Sequence, residues 1–189
     1  MSDFFALISR MRHIGRWGLM RSSIPENVQE HSHMVAVLAH ALGVIKRDVF
    51  GGKCDPNFLA AAALYHDSPE ILTGDMPTPI KYYNPDIKTA YKEVERIAGN
   101  RLLDMLPPEL RSSYTHYVLE DDAELEPFVK AADKLSAHIK CLEEQKAGNT
   151  EFDSAAQQTL DALKAMNSPE LEWFLNNCLQ AFTLNLDQL

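Results

Sequence analysis

The sequence predicts an all-α protein, on three observations. Apolar residues recur at three- and four-residue spacings along most of the 189 residues, with no sustained run of alternating β-branched positions. Asn27 and Asp55 stand immediately before two such runs as N-caps, Asp55 with Pro56 at the first helical position. Gly51-Gly52, Pro107-Pro108 and Gly148-Asn149 then punctuate the chain where periodic runs end.

Taken in order, Phe4 to about His13 reads as a short helix with Phe4, Leu7, Ile8 and Met11 on one face, followed by a Gly-punctuated connection over Gly15–Pro25. Asn27 with Glu30 three residues on resembles a capping box, and opens a helix from Val28 to about Asp48. Asp55-Pro56 restarts a helix that runs to His66 or Asp67, and Ser68-Pro69 opens a further short turn. Gly74, Pro77, Pro79 and Pro85 mark a loop. A helix over about Asp86–Met105 follows, then a short one from Pro108. The acidic stretch Glu120–Glu126 precedes a long helix to about Lys146, and two more fill Glu151–Ala165 and Pro169–Leu184. No repeat, low-complexity tract or linker divides the chain, so residues 1–189 are read as one domain.

The bulk composition, 46% hydrophobic and 24% charged, is that of an ordinary globular protein. Three well-separated cysteines, Cys54, Cys141 and Cys178, with no CxxC, suggest neither a disulfide framework nor a thiolate zinc site, and fit a reducing compartment. The N-terminus lacks the apolar stretch and cleavage site of a signal peptide. No apolar run reaches the roughly 18 residues of a membrane span. A cytoplasmic location with no membrane partner is expected. The net charge of −9 argues against a polymeric nucleic-acid partner, whose phosphates need a basic footprint. Residues 1–25 nevertheless hold Arg10, Arg12, Arg16 and Arg21 against Asp3 alone, a net of +3 beside −12 for the remainder. Such a local cluster suits a small anion; scattered surface arginines fit the count equally well.

The residues with most chemical promise are His31, His66, Asp67 and Asp133. Two imidazoles and two carboxylates suit a divalent first-row metal better than calcium, which takes oxygens, or a structural zinc, which favours thiolates. At about 100° per residue, His31 shares a face with Met34, Val35, Leu38, Leu42 and Ile45, whereas His33 and His40 project oppositely. His66 lies on the face of Leu59 and Ala63, and the small residues Ala60–Ala63 allow close approach of another helix. Read alone, His66-Asp67 fits equally well a C-terminal histidine favoured by the helix dipole, with Asp67 capping the next turn. Asp133 sits at the edge of the stripe Phe128, Ala132, Leu135, Ile139, Leu142, where a carboxylate is costly unless paired or coordinating. Spacing alone does not separate it from a rim position, or from Asp121 and Asp122. Glu70, four residues after His66, can share that face and handle a proton, or simply favour a helix N-terminus. Asp75, Pro77, Thr78 and Lys81 follow in a stiffened loop. Arg16-Trp17, in IGRWGLMR, pairs a phosphate-matching fork with an indole able to stack or pack.

The pattern His31…His66-Asp67…Asp133 resembles that of the HD-domain phosphohydrolase superfamily. GRWGLMR, ENVQEHS, YHDSPEILTGDMPTPIKYYN and KAADKLSAHIKCLEE look like its bacterial 5′-deoxynucleotidase (YfbR-like) branch, over nearly the whole chain. The TGDMPTP loop after HDSPE, together with the RW pair, is the specific part; the C-terminal third matches weakly. The resemblance implies a helical HD-domain bundle and a single catalytic divalent metal held by His31, His66, Asp67 and Asp133. It implies hydrolysis of deoxyribonucleoside 5′-monophosphates to nucleoside and phosphate by a homodimer. Cobalt, manganese or copper are the implied metals, with zinc, nickel or iron(II) also admissible. Arg16 would orient phosphate and Trp17 would pack near the sugar. Glu70 would assist the water or the leaving oxygen. Asp75, Met76, Pro77 and Thr78 would hold the sugar, with Asp75 selecting deoxyribose. Lys81 would add positive charge near the phosphate, and Asp67 and Asp133 would also border the substrate. The alternatives are another HD-domain nucleotide phosphohydrolase or a non-catalytic metal- or nucleotide-binding module. The first would need more cations for a triphosphate, or HDIGK in place of HDSPE; the second would leave Glu70 and Arg16 without a role.

Overall fold

The computed structural model describes residues 2–81, 83–119 and 122–189, and the side chain of Thr78 lies outside what it describes. Among the described residues, ten α-helices follow in order: α1 (Phe4–Ile8), α2 (Val28–Val44), α3 (Pro56–Tyr65), α4 (Glu70–Thr73), α5 (Thr78–Lys81), α6 (Pro85–Leu103), α7 (Pro108–Leu119), α8 (Glu126–Lys146), α9 (Asp153–Ala165) and α10 (Pro169–Asn177). No strand occurs among the described residues; an antiparallel bridge pairs Gly15 with Asn27. The predicted caps are in place. The Asn27 side chain accepts from the Glu30 amide while Glu30 reaches back to Asn27, and Asp55 accepts from the Asn57 and Phe58 amides.

The expected elements differ from the structure mainly at their ends. The first helix tightens into a 3-10 turn over Ser9–His13, and α2 widens into a π turn over Ile45–Val49 before Gly51 at φ +66°. The helix expected over Pro169–Leu184 stops at Asn177; Cys178, at φ −123°, diverts the chain into a 3-10 turn over Leu179–Thr183. The proline loop after Gly74 contains the single turn α5, and the helix opened by Pro108 runs twelve residues. Of the acidic stretch ahead of α8, Glu120 and Asp121 lie outside the described residues.

Two features position the site. Helices α2 and α3 pack tightly at Gly43, where a Cβ would lie 2.8 Å from the Leu59 side chain and 3.1 Å from Pro56 Cα. The end of α2 thus meets the start of α3, which makes the pair antiparallel and brings His31, at the start of α2, to His66, at the end of α3. The main core fills the space these helices share with α8, through Val35, Leu38, Leu42, Leu59, Ala63, Ala132 and Leu135. Helix α8 also carries a second, polar face. Asp133, Ser136, Lys140 and Glu144 follow at spacings of three, four and four, which aligns them along one side.

The far end of that polar face anchors the N-terminal connection. Glu144, fully buried, pairs with buried Lys140 and accepts from the Ser23 amide at 2.8 Å, the Ser23 hydroxyl and Asn149 Nδ2 at 2.8 Å. Lys140 Nζ donates to the Ile24 carbonyl at 2.6 Å. Burial opposes the Glu144 charge, but Lys140, Ser23 and Asn149 hold its pKa well below the ordinary 4.5. A depressed carboxylate stabilises the fold above its unfolded pKa and loses that contribution as pH falls below it. Glu144→Ala strands a buried ammonium and should cost roughly 3–5 kcal/mol in urea unfolding at pH 7. The deficit relative to the parent should shrink as the pH drops below about 4.5.

Candidate metal centre

The two histidines are each held by a fixed partner. His66 Nδ1 lies 2.8 Å from the Ala63 carbonyl, which only accepts, so Nδ1 carries the proton. In the neutral ring, Nε2 then presents a lone pair, and it faces Asp67 Oδ2 at 3.1 Å. Two lone-pair atoms at that distance repel unless a proton or a cation lies between them. His31, fully buried, hydrogen-bonds through Nδ1 with Ser136 at 3.2 Å, one turn along α8 from Asp133. Its Nε2 lies 3.0 Å from Asp133 Oδ1 and 3.6 Å from Asp67 Oδ2. The two imidazole centroids are 5.4 Å apart.

Nitrogens of His31 and His66 and an oxygen of Asp133 all fall within 4.8 Å of one another, a spacing compatible with one shared ion. Asp67 joins the cluster through its contacts to both rings. His33 and His40 are exposed, as helical phase predicted. The donor set and the opposed lone pairs at His66 and Asp67 fit a divalent transition metal. The outer ring nitrogens, held by Ala63 and Ser136, supply the support that orients such ligands. Asp133, whose side chain is 38% exposed, opens the cluster to solvent.

The electrostatics sort the carboxylates. Burial opposes ionisation of Asp67, but His66, His31 and Arg16 outweigh it and lower its pKa to about 2. Asp133 is depressed further, mainly by its hydrogen bond to His31. Glu70 goes the other way. Buried, with Oε2 lacking any hydrogen-bond partner among the described residues, it is pushed up to about 9 by burial and by the Asp67 and Asp75 charges. Asp75 is also raised, chiefly by burial.

Arg16 reaches the cluster from the N-terminal connection. Its Nη1 lies 3.3 Å from Asp67 Oδ2. Burial works against its charge, yet Asp67, Asp133, Glu26 and Asp75 raise its pKa above the ordinary arginine value. Trp17 follows at φ +60°, packed on Phe152 with centroids 5.2 Å apart. Met76 and Pro77 lie half-buried beside Asp75; for Thr78 only the backbone is described. Lys81 is engaged by Glu95 at 2.8 Å and lies over the Tyr91 ring, while its charge acts on Glu70 and Asp75. The structure thus gathers His31, His66, Asp67, Asp133, Arg16, Glu70 and Asp75, and leaves Lys81 turned to α6. Sequence reasoning missed Ser136, which sits one turn from Asp133, and Glu26, which no helical spacing could reveal.

A family model described as 5′-deoxynucleotidase YfbR-like matches residues 3–182. The chain is 48% identical over its whole length to a 5′-deoxynucleotidase of Vibrio parahaemolyticus, covering 98% of that protein. It is 47% identical to one of Vibrio cholerae at the same coverage of both chains. Its fold is similar to that of an HD-domain phosphohydrolase from Listeria innocua, with a TM-score of 0.82 at 22% identity over 97% of this chain and 90% of that one. A cyanophage S-2L HD phosphohydrolase, solved bound to dA and one catalytic zinc ion, superposes at TM-score 0.68 and 24% identity, over 93% of this chain and 96% of that one.

Two outcomes follow from this geometry. A divalent metal at about 100 times its Kd should stabilise the protein by about 2.7 kcal/mol in thermal unfolding, and Asp133→Ala should remove most of that gain. In the metal-free protein, folded Glu70 keeps a proton that the unfolded chain releases above about 4.5. Its raised pKa therefore lowers stability as pH climbs from there toward 9. Glu70→Gln should flatten that decline in chemical denaturation across pH 5–9; an equal slope in both proteins would refute the assignment.

Proposed function

The chain belongs to the 5′-deoxynucleotidase YfbR-like family, and from that premise we propose how its own residues serve the reaction. It is a metal-dependent phosphoric monoester hydrolase that converts deoxyribonucleoside 5′-monophosphates to deoxyribonucleoside and phosphate. The observation that carries the assignment of roles is Asp67 Oδ2, within 3.6 Å of nitrogens of His31, His66 and Arg16 and close in the chain to a proton-bearing Glu70. His31, His66, Asp67 and Asp133 would hold the ion. A divalent cation there supplies Lewis-acid polarisation of the phosphoryl group and a lowered pKa for a nearby water.

The remaining chemistry falls to side chains. Arg16, pinned beside Asp67, presents positive charge to the phosphoryl oxygens where negative charge builds in the transition state. Glu70, raised toward neutrality by burial and by Asp67, is suited to pass a proton between the attacking water and the leaving 5′-oxygen. Asp75, raised by burial, would meet the sugar hydroxyl, with Met76, Pro77 and Thr78 shaping that side and Trp17 the other. Lys81 would act at a distance, through its charge and through the loop it ties to Glu95. Cobalt, manganese or copper are the favoured ions, and the ligand set also accepts zinc, nickel or iron(II).

Residues 1–189 would act as one domain, supported by the Glu144 anchor that joins the N-terminal connection to α8. We extend the reading to a homodimer in the cytoplasm. Exposed Val94 and Ile97, one turn apart on α6, supply an apolar surface for a second copy. No helix among the described residues is long and apolar enough to cross a membrane.

The deciding experiment measures phosphate release from ribo- and deoxynucleoside mono- and triphosphates with each metal. Deoxynucleoside monophosphates should be hydrolysed, chelator should abolish release, and ribonucleotides should be slower by about 100-fold, as expected when a pocket must reject one added hydroxyl. Glu70→Gln should lose turnover while keeping metal and nucleotide. A fully metallated protein inert toward every nucleotide would favour a binding module, and preferred cleavage of triphosphates a different phosphohydrolase.

A further inference from the structure

We propose that Glu26 is a positioning residue that fixes Arg16 and Trp17 as a single phosphate-and-sugar-facing unit. The inference rests on the reading of Arg16 as a phosphate-binding residue. One oxygen, Glu26 Oε2, accepts from Arg16 Nε at 3.1 Å and from Trp17 Nε1 at 2.9 Å. The guanidinium is thereby held on two edges, by Glu26 at Nε and by Asp67 at Nη1. Two carboxylates on different edges set the plane of a rigid fork, where one alone would let it pivot. No hydrogen bond engages Nη2 among the described residues, which leaves that side of the fork for a ligand.

The backbone reinforces the contact. The Arg16 amide donates to the Glu26 carbonyl at 2.9 Å, and the Val28 amide to the Ile14 carbonyl at 2.9 Å, on either side of the Gly15–Asn27 bridge. Asn27 is the N-cap of α2, the helix that carries His31. Glu26 therefore sets the arginine in register with the helix that supplies a metal ligand. It also holds Trp17, whose φ of +60° is a strained conformation for a bulky residue. Glu26 and Arg16 side chains are only 16% and 13% exposed, so this ion pair is shielded from screening by salt. Without Glu26, the hydrogen bond from Nη1 to Asp67 is the one that still holds the guanidinium among the described residues, and the fork is free to pivot about it.

The test compares Glu26→Ala, Glu26→Asp and Glu26→Gln in the metal-loaded full-length protein, with deoxyadenosine 5′-monophosphate as substrate and inorganic phosphate as inhibitor. Displacing a binding group by about 1 Å can cost about 100-fold, so Glu26→Ala should lower kcat/KM by about that factor and weaken inhibition by phosphate. Glu26→Asp, which keeps the charge but withdraws the oxygen, should lose at least about tenfold. Glu26→Gln should remain within about fivefold, because an amide oxygen can accept both bonds. In an Arg16→Ala background, Glu26→Ala should add less than about threefold, since coupled residues are non-additive. With Trp173→Phe as background, Trp17 emission should shift in the alanine variant and not in the glutamine variant. Full activity of Glu26→Ala, equal damage by Gln and Ala, or additive loss with Arg16→Ala would each overturn the proposal. Full activity of Arg16→Ala alone would instead overturn the reading of Arg16 on which it rests.

Discussion

A single oxygen, Asp67 Oδ2, holds three separate parts of the chain in one place. It lies 3.1 Å from a nitrogen on the residue before it, 3.6 Å from one on α2 and 3.3 Å from one on the N-terminal connection. Each of these nitrogens belongs to a group that has to give up water to be there. Arg16 attracts the ionised carboxylate directly, whereas the imidazole nitrogens do so only with a proton or a cation between the opposed lone pairs; with these charges around it, the Asp67 pKa falls to about 2. Moving Asp67 by one position along the chain would separate it from His66 and unfasten Arg16 and His31 together.

The helices make that convergence possible before any electrostatics act. Gly43 lets α2 and α3 approach where a Cβ would strike Leu59, and the antiparallel pairing then places the start of one helix beside the end of the other. Helix α8 lies across both, its apolar side completing the core and its polar side serving two purposes. Asp133 and Ser136 at one end meet His31, while Lys140 and Glu144 at the other end fasten Ser23 and Ile24. These residues lie on the same connection as Arg16 and Trp17, so one helix sets the separation between the histidine cluster and the connection bearing the arginine.

Much of this was legible in the sequence because helices encode direction in spacing. The phase of α2 separated His31 from His33 and His40, and the capping box at Asn27 fixed where that phase begins. Asp55-Pro56 did the same for the helix that ends at His66-Asp67. The all-α class rested on the same periodicity. The polar face of α8 is equally periodic, but Asp133, Ser136, Lys140 and Glu144 fit a solvated helix side just as well, and only the fold buries the last three of them. Glu26 was not legible, since its contacts with Arg16 and Trp17 cross a non-helical connection where spacing carries no angular information. The break at Cys178 was also hidden: no glycine or proline marks it, and the poor helix formers Asn176, Asn177 and Cys178 are a weak signal between apolar residues that keep helical spacing.

The two acids of the HDSPE segment show how one charge can divide the labour of a site. Asp67 is lowered to about 2 because imidazoles and a guanidinium surround it; Glu70 is raised to about 9 because it is buried and faces the negative charges of Asp67 and Asp75. Carboxyl groups with pKa values driven so far apart are the usual mark of separate electrostatic and proton-carrying roles. Here the separation has a common origin. The ionised Asp67 that gathers the cluster is also among the charges that keep the proton on Glu70. Anything that neutralises Asp67 weakens that hold, so occupation of the cluster and release of the Glu70 proton are linked through a carboxylate three residues away.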